Sequence, residues 1–209
     1  MDQQKILSLF KKINYNTEDN EDGKNYRYFH PLRVLKMSLF IIGRSGLVKK
    51  INKDVVFVLA LFHDLGRNEK LIRENGLINS KKNFDRNNLF LFKKYINSKL
   101  ENKDTINYLE KVTQDFSLKK YKFWESKIVR DADNLDEIGV LNFWRMANYA
   151  GKHKQDIKEI IDYYYGFDRN DKIRKTKNFF IPFSKKIAKW RMKEMDAIMK
   201  KFKKANNVE

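Results

Sequence analysis

Three histidines serve 209 residues, and two of them stand where an imidazole could bind a cation. His63 is followed directly by Asp64 at the C-terminal end of residues 55–62, the longest apolar run in the chain. An ionisable pair at the end of a buried segment is costly unless each member is paired or holds a cation. His30 precedes Pro31 and shares a helical face with Val34, Met37 and Ile41. Further on, Asp131, Asp133, Asp136 and Glu137 fall within seven residues, with Asp133 and Asp136 one helical turn apart. Two neutral imidazoles and two carboxylates make a mixed nitrogen and oxygen set. It suits Mn²⁺, Fe²⁺, Co²⁺, Ni²⁺ or Zn²⁺ with positions left for water. An ion held in this way lowers the pKa of water and polarises a phosphoryl oxygen.

Helices must carry these groups. With two prolines, eight glycines and little Val/Thr alternation, the pattern predicts one all-α domain. Ile6, Leu9, Phe10 and Ile13 mark a short opening helix, and the acidic stretch 14–25 reads as a loop. Pro31 suits the first turn of a helix running through Ile42, ended by Gly43 and Gly46. Asn52 can cap the helix built on residues 55–62, apolar on nearly every side and therefore buried, with Gly66 closing it. Residues 68–83 are mixed. Residues 85–100, 104–116, 125–150 (broken at Gly139) and 156–165 read as helices, and 167–183 as irregular. Ser184 can cap a final helix through Phe202. Residues 1–183 are thus expected to form the domain, with 184–209 as a basic helix packed on it or extending from it.

Composition narrows the class. The aromatic content of 14% argues against wholesale disorder, and no apolar run approaches the roughly 20 residues of a membrane span. No cysteine is present, so disulfides and thiolate metal sites are excluded and a reducing, cytoplasmic setting is expected. The N-terminal residues lack the basic-then-apolar order of a secretory signal. Lys and Arg number 45 against 27 acids, a net charge of +18. Abundant Lys and Asn with comparatively scarce Arg read first as AT-rich coding. Attraction to nucleotides, nucleic acids or other polyanions follows from the charge either way.

The residues resemble the HD-domain metal-dependent phosphohydrolases, an all-α helical-bundle family. That family is marked by a histidine on one helix, a His-Asp doublet ending another, and an aspartate on a later helix. His30, the doublet His63-Asp64 and Asp133 within Ala132-Asp133-Asn134-Leu135-Asp136 stand in that order. In the family the ligand is the aspartate after that alanine, which points to Asp133 over Asp131. One branch reads His-Asp-(Ile/Leu)-Gly-Arg-x-Glu-Gln, then Gly-Thr-Phe-x-Asp, then Ser-x-Asp-His. Residues His63, Asp64, Leu65, Gly66, Arg67 and Glu69 match it, as do Gly76 and Phe84-Asp85. Where dinuclear members place a further histidine, this chain has Arg86, and no histidine lies between His63 and His153. The resemblance therefore implies one divalent metal ion (Mn, Co, Ni, Fe, Zn or Mg) held by His30, His63, Asp64 and Asp133.

The activity so implied is hydrolysis of a phosphate ester of a nucleotide or another small phosphorylated metabolite, through a metal-activated water. Asp64 and Glu69 are the candidate catalytic carboxylates. Arg33, Arg67, Arg86 and Lys70 are candidates for binding phosphate oxygens, each weighed against a solvated surface role. Asp136 could orient a ligand histidine or meet a ribose hydroxyl. His153 reads as surface. Trp144, Tyr149, Tyr163, Tyr164 and Tyr165 could stack on bases but read more readily as core. The last helix, with Ile187, Trp190, Met195, Ile198 and Phe202 as its apolar stripe, reads as packed on the domain with a solvated basic face. Alternative readings are a phosphodiesterase or nuclease directed at nucleic acid, or a catalytically weak RNA- or DNA-binding module using that basic surface.

Overall fold

The computed structural model describes residues 1–15, 25–100 and 102–206, except the side chain of Ser98. The acidic stretch expected to be a loop lies mostly outside the described residues. Eleven α-helices, three short 3-10 turns and one π-helical stretch make up the described chain, and no strand occurs among the described residues. The helices are α1 (Gln3–Asn14), α2 (Tyr26–Arg44), α3 (Lys53–Phe62), α4 (Glu69–Glu74), α5 (Phe84–Tyr95) and α6 (Lys103–Ser117). They continue as α7 (Trp124–Asp136), α8 (Val140–Lys152), α9 (Ile157–Tyr163), α10 (Arg169–Lys177) and α11 (Pro182–Ala205). The π-helical stretch Tyr164–Asp168 joins α9 to α10. No helix is long and apolar enough to cross a membrane, among the described residues.

The core is built around α3, in which every residue from Val55 to Phe62 is buried. Full burial of a Val, Leu or Phe side chain contributes about 1.5–3 kcal/mol, so this helix anchors whatever follows it. Asn52 starts it by accepting hydrogen bonds from the Asp54 and Val55 N–H groups. Glu125, buried at the start of α7, accepts from the Asn52 N–H and from the Tyr108 hydroxyl, tying α3, α6 and α7 together. α2 packs most extensively on α7 and next on α3, so the three helices that carry the histidines and aspartates form one contiguous unit.

α7 is aimed by Asp115. This buried carboxylate accepts from the Lys122 and Phe123 N–H groups, where the chain enters the helix, and from the Ser126 hydroxyl in its first turn. Asp115→Ala is expected to cost about 1–3 kcal/mol, read as a lowered thermal midpoint. An unchanged midpoint would remove Asp115 from this account.

Four expectations are corrected. α2 begins at Tyr26, so Pro31 lies inside the helix and His30 in its second turn. As the sixth residue of α2, Pro31 lies past the four N–H groups that have no partner in the helix, so the i→i−4 bond its N–H would have made is missing. Gly66 does not end α3. It lies in a separate 3-10 turn (Leu65–Arg67) pressed against α5. Much of the stretch expected to be irregular is helical, as the π-helical residues and α10. On α11 the buried positions are Ser184, Ala188, Met192, Met195 and Met199, and Trp190 is 58% exposed. Two residues past Ala188 is about 200° around the helix, so Trp190 faces away from the core.

Gly139, at φ +99°, makes the sharp break between α7 and α8 that a residue with a Cβ would resist. α11 packs back on α7 and α8.

Candidate metal centre

His63 caps the C-terminus of α3, and its Nδ1 lies 2.8 Å from the Ala60 carbonyl oxygen. A carbonyl only accepts, so Nδ1 is the donor in this bond and Nε2 is the nitrogen turned to the cluster. That Nε2 is buried and has no hydrogen-bond partner. His30 is held the same way, with Nδ1 2.7 Å from Asp136 Oδ2. The two imidazole rings meet at 5.2 Å between centroids.

Both Nε2 atoms converge on carboxylates. Asp133 Oδ1 lies 3.3 Å from His30 Nε2 and 3.6 Å from His63 Nε2. The two oxygens of Asp64 lie 3.8 Å and 3.7 Å from the same nitrogens. An ion holding such ligands at about 2.1 Å separates neighbours by about 3.0–3.4 Å. The spacing is thus close to that of a coordination shell. His30, His63 and Asp64 satisfy a metal-ligand geometry among themselves, and Asp133 joins them through both histidines.

The local field asks for positive charge. Burial works against a charged His30, yet the carboxylates of Asp133, Asp136 and Asp64 outweigh it and raise its pKa to about 10. Burial likewise opposes ionisation of Asp133 and Asp64. For Asp133, the close approach of His30 and His63 overcomes this and holds the carboxyl well below its ordinary range. For Asp64 the charges of His63 and Arg67 lower it. An orphaned imidazole nitrogen beside two persistently ionised carboxylates fits a divalent cation.

Asp131 does something else. It accepts hydrogen bonds from the Phe180 and Ile181 N–H groups and anchors the entry to α11. Burial raises its pKa to about 6 against those two bonds. On α7 only Asp133 and Asp136 turn toward the histidines.

A ring of arginines surrounds the carboxylates. Arg130 Nη1 donates to Asp133 Oδ2 at 2.9 Å, leaving Oδ1 for the centre. Arg27 and Arg67 lie 3.9 Å and 3.7 Å from the two oxygens of Asp64. Arg67 is half-exposed, with its guanidinium 4.5 Å from the Phe84 ring. Arg33, a candidate for binding phosphate, is engaged with the protein here. Its Nε and Nη2 grip Asp136 at 2.7 and 2.9 Å, so it orients the carboxylate that orients His30.

The structure does not bring Glu69, Lys70 or Arg86 to the cluster. Glu69 and Arg86 are exposed, and Lys70 lies beside Glu74 at 3.9 Å. Arg27, Arg130 and Tyr26, which stacks on His30 at 5.2 Å, were not singled out from sequence. Arg27 and Arg130 each stand three residues before a candidate ligand, the i,i+3 relation that puts two side chains on one helical face. His153 is exposed at the end of α8.

Asp136→Asn would weaken the support of His30 and release Arg33. Removal of such an outer partner typically costs 10–100-fold in metal affinity, and that loss is expected in a metal-ion titration. Unchanged affinity would show that Asp136 serves the helix alone.

No protein-family model matches the chain, and no curated protein does. Solved structures do. The Lin1889 protein from Listeria innocua shares 22% identity at a TM-score of 0.65, over 100% of this chain and 99% of that one. Bacillus subtilis YpgQ, solved in complex with ADP, shares 16% at 0.65, over 98% and 97%. An HD-superfamily hydrolase from Bacillus thuringiensis shares 18% at 0.63, over 99% and 97%. The chain has the HD-domain fold.

Proposed function

We propose that the chain is a metal-dependent phosphohydrolase, with a nucleotide as the phosphate ester it cleaves. The observation that carries this reading is the convergence of two imidazole Nε2 atoms, one orphaned and buried, on Asp64 and Asp133 inside a ring of arginines. His30, His63, Asp64 and Asp133 would hold one divalent ion. When bound, that ion supplies Lewis acidity toward a phosphoryl oxygen and lowers the pKa of water.

The chain supplies the rest. His30 and His63 keep their donor nitrogens fixed through Asp136 and the Ala60 carbonyl. Asp64 turns both oxygens to the centre, so one can ligate while the other accepts a proton from the attacking water. Arg67, with a half-exposed guanidinium beside Asp64, is placed to take phosphate oxygens by parallel N–H donors. Arg130 and Arg27 offset the charge of the ligand carboxylates, so that an anionic substrate meets a surface that is not repulsive. The ADP held by one structural neighbour supports a nucleotide over other phosphate esters.

The test is phosphate release from nucleoside mono-, di- and triphosphates and from p-nitrophenyl phosphate, with each divalent ion in turn. Asp64→Ala serves as the background. Hydrolysis of a nucleotide at least 10³-fold above that background, abolished by a chelator, is expected. No substrate turned over above background with any ion would overturn the reading.

A further inference from the structure

A cavity of about 480 Å³ opens beside the four-ligand centre, not within it, between α8, α9 and α10. That volume falls in the range of small-ligand sites. Two of its lining residues tie it to the centre. Glu137 follows Asp133 by one turn of α7, about 6 Å along the axis. The Arg145 guanidinium lies 5.0 Å from the Tyr26 ring, which in turn stacks on His30.

The charged groups in the far wall already have counter-charges. Glu137 pairs with Lys172 and Lys175, and Asp168 lies 3.6 Å from Lys172 and accepts a hydrogen bond from Asn142. A phosphate pushed there would disrupt matched pairs, whereas a neutral group with hydrogen-bonding edges would not. Asn142 and Gln155 line the same space and each offers both a donor and an acceptor.

Tyr149 and Tyr163 supply aromatic surface to this cavity, each nearly half-exposed. Of the tyrosine run 163–165 expected in the core, only Tyr164 is there, since three consecutive helical residues cannot share one face. The π-helical stretch then decides what faces the cavity. An α-helix would turn positions 163 and 168 about 140° apart, whereas i→i+5 winding brings them to one side. Tyr163 and Asp168 accordingly line the cavity together.

We propose that this cavity receives the nucleoside portion of the substrate. The base lies against Tyr149 and Tyr163, and Arg145 marks the passage along which the phosphates reach the metal centre. The proposal rests on the nucleotide-hydrolase reading and adds where the base binds.

Calorimetric titration separates the two. The non-hydrolysable methylene analogue of adenosine diphosphate, and methylenediphosphonate, which lacks the nucleoside, are titrated into the metal-loaded protein. Tyr163→Ala removes the aromatic surface, and Gln155→Trp fills the mouth from an exposed position that the core does not use. Each variant is expected to weaken the nucleotide analogue at least tenfold while methylenediphosphonate changes less than twofold. Equal losses for both ligands, no loss for the nucleotide analogue, or no binding of it to the parent protein would overturn the proposal. A parent protein that binds the analogue in this pattern yet hydrolyses nothing would sink the hydrolase reading and leave the cavity assigned.

Discussion

Asp133→Asn is expected to lower divalent-ion affinity at least 100-fold and phosphate-ester hydrolysis at least 10³-fold, about 4 kcal/mol of transition-state stabilisation. Asp133 is the one carboxylate whose single oxygen faces both imidazole nitrogens, at 3.3 and 3.6 Å. An amide there keeps the volume but offers a neutral oxygen, and its nitrogen repels a cation. The Arg130 fork would also lose its charged partner. His30 and His63 hold the Asp133 carboxylate well below its ordinary range, so its charge stabilises the metal-free fold. The variant is expected to melt lower while remaining folded, since the amide keeps the volume. A chelating dye competed against the protein gives the affinity, and a thermal melt without metal gives the stability. Full affinity in the variant would remove Asp133 from the ligand set. A collapsed melt would show its role to be structural.

The second large effect lies two residues from Asp64. A Cβ placed on Gly66 would sit 2.4 Å from the Phe84 carbonyl oxygen and 2.8 Å from the Asn88 nitrogen, both backbone atoms of α5. Backbone cannot swing aside as a side-chain tip can, so the turn Leu65–Arg67 and α5 must separate. The hydrogen bond from the Gly66 N–H to Asn88 Oδ1, at 3.1 Å, would be strained with it. Gly66→Ala is expected to destabilise the protein by about 3 kcal/mol or more. For a chain of this length that lowers the thermal midpoint by about 6–12 °C. Because the turn follows Asp64 directly, metal affinity should fall as well. A midpoint within 2 °C of the parent would show that α5 yields.

The candidate ligands were legible because their chemistry is costly in the places they occupy. A His-Asp doublet after eight consecutive apolar residues has few uses, and the histidines are too rare to be background. The arginine ring was not legible. Among 45 basic residues, type alone cannot separate Arg130, bonded to Asp133, from exposed Arg86. Only the i,i+3 spacing to a ligand distinguishes it, and that relation carries weight once the ligand is known. Helix α10 escaped notice for a related reason. Its buried positions are Lys172 and Thr176, so it shows no apolar stripe, and it reaches the end of α7 through ion pairs of Lys172 and Lys175 with Glu137. The run Tyr163–Tyr165 read as core because sequence does not reveal where a helix winds as π rather than α.

The central claim is that His30, His63, Asp64 and Asp133 together hold one divalent ion. Elemental analysis of the purified protein beside Asp64→Ala, both incubated with Mn²⁺, Co²⁺, Ni²⁺ and Mg²⁺ and then desalted, tests it most directly. The account predicts about one ion per chain in the parent and none in the variant. Two ions per chain, or one ion that survives the loss of Asp64, would contradict it.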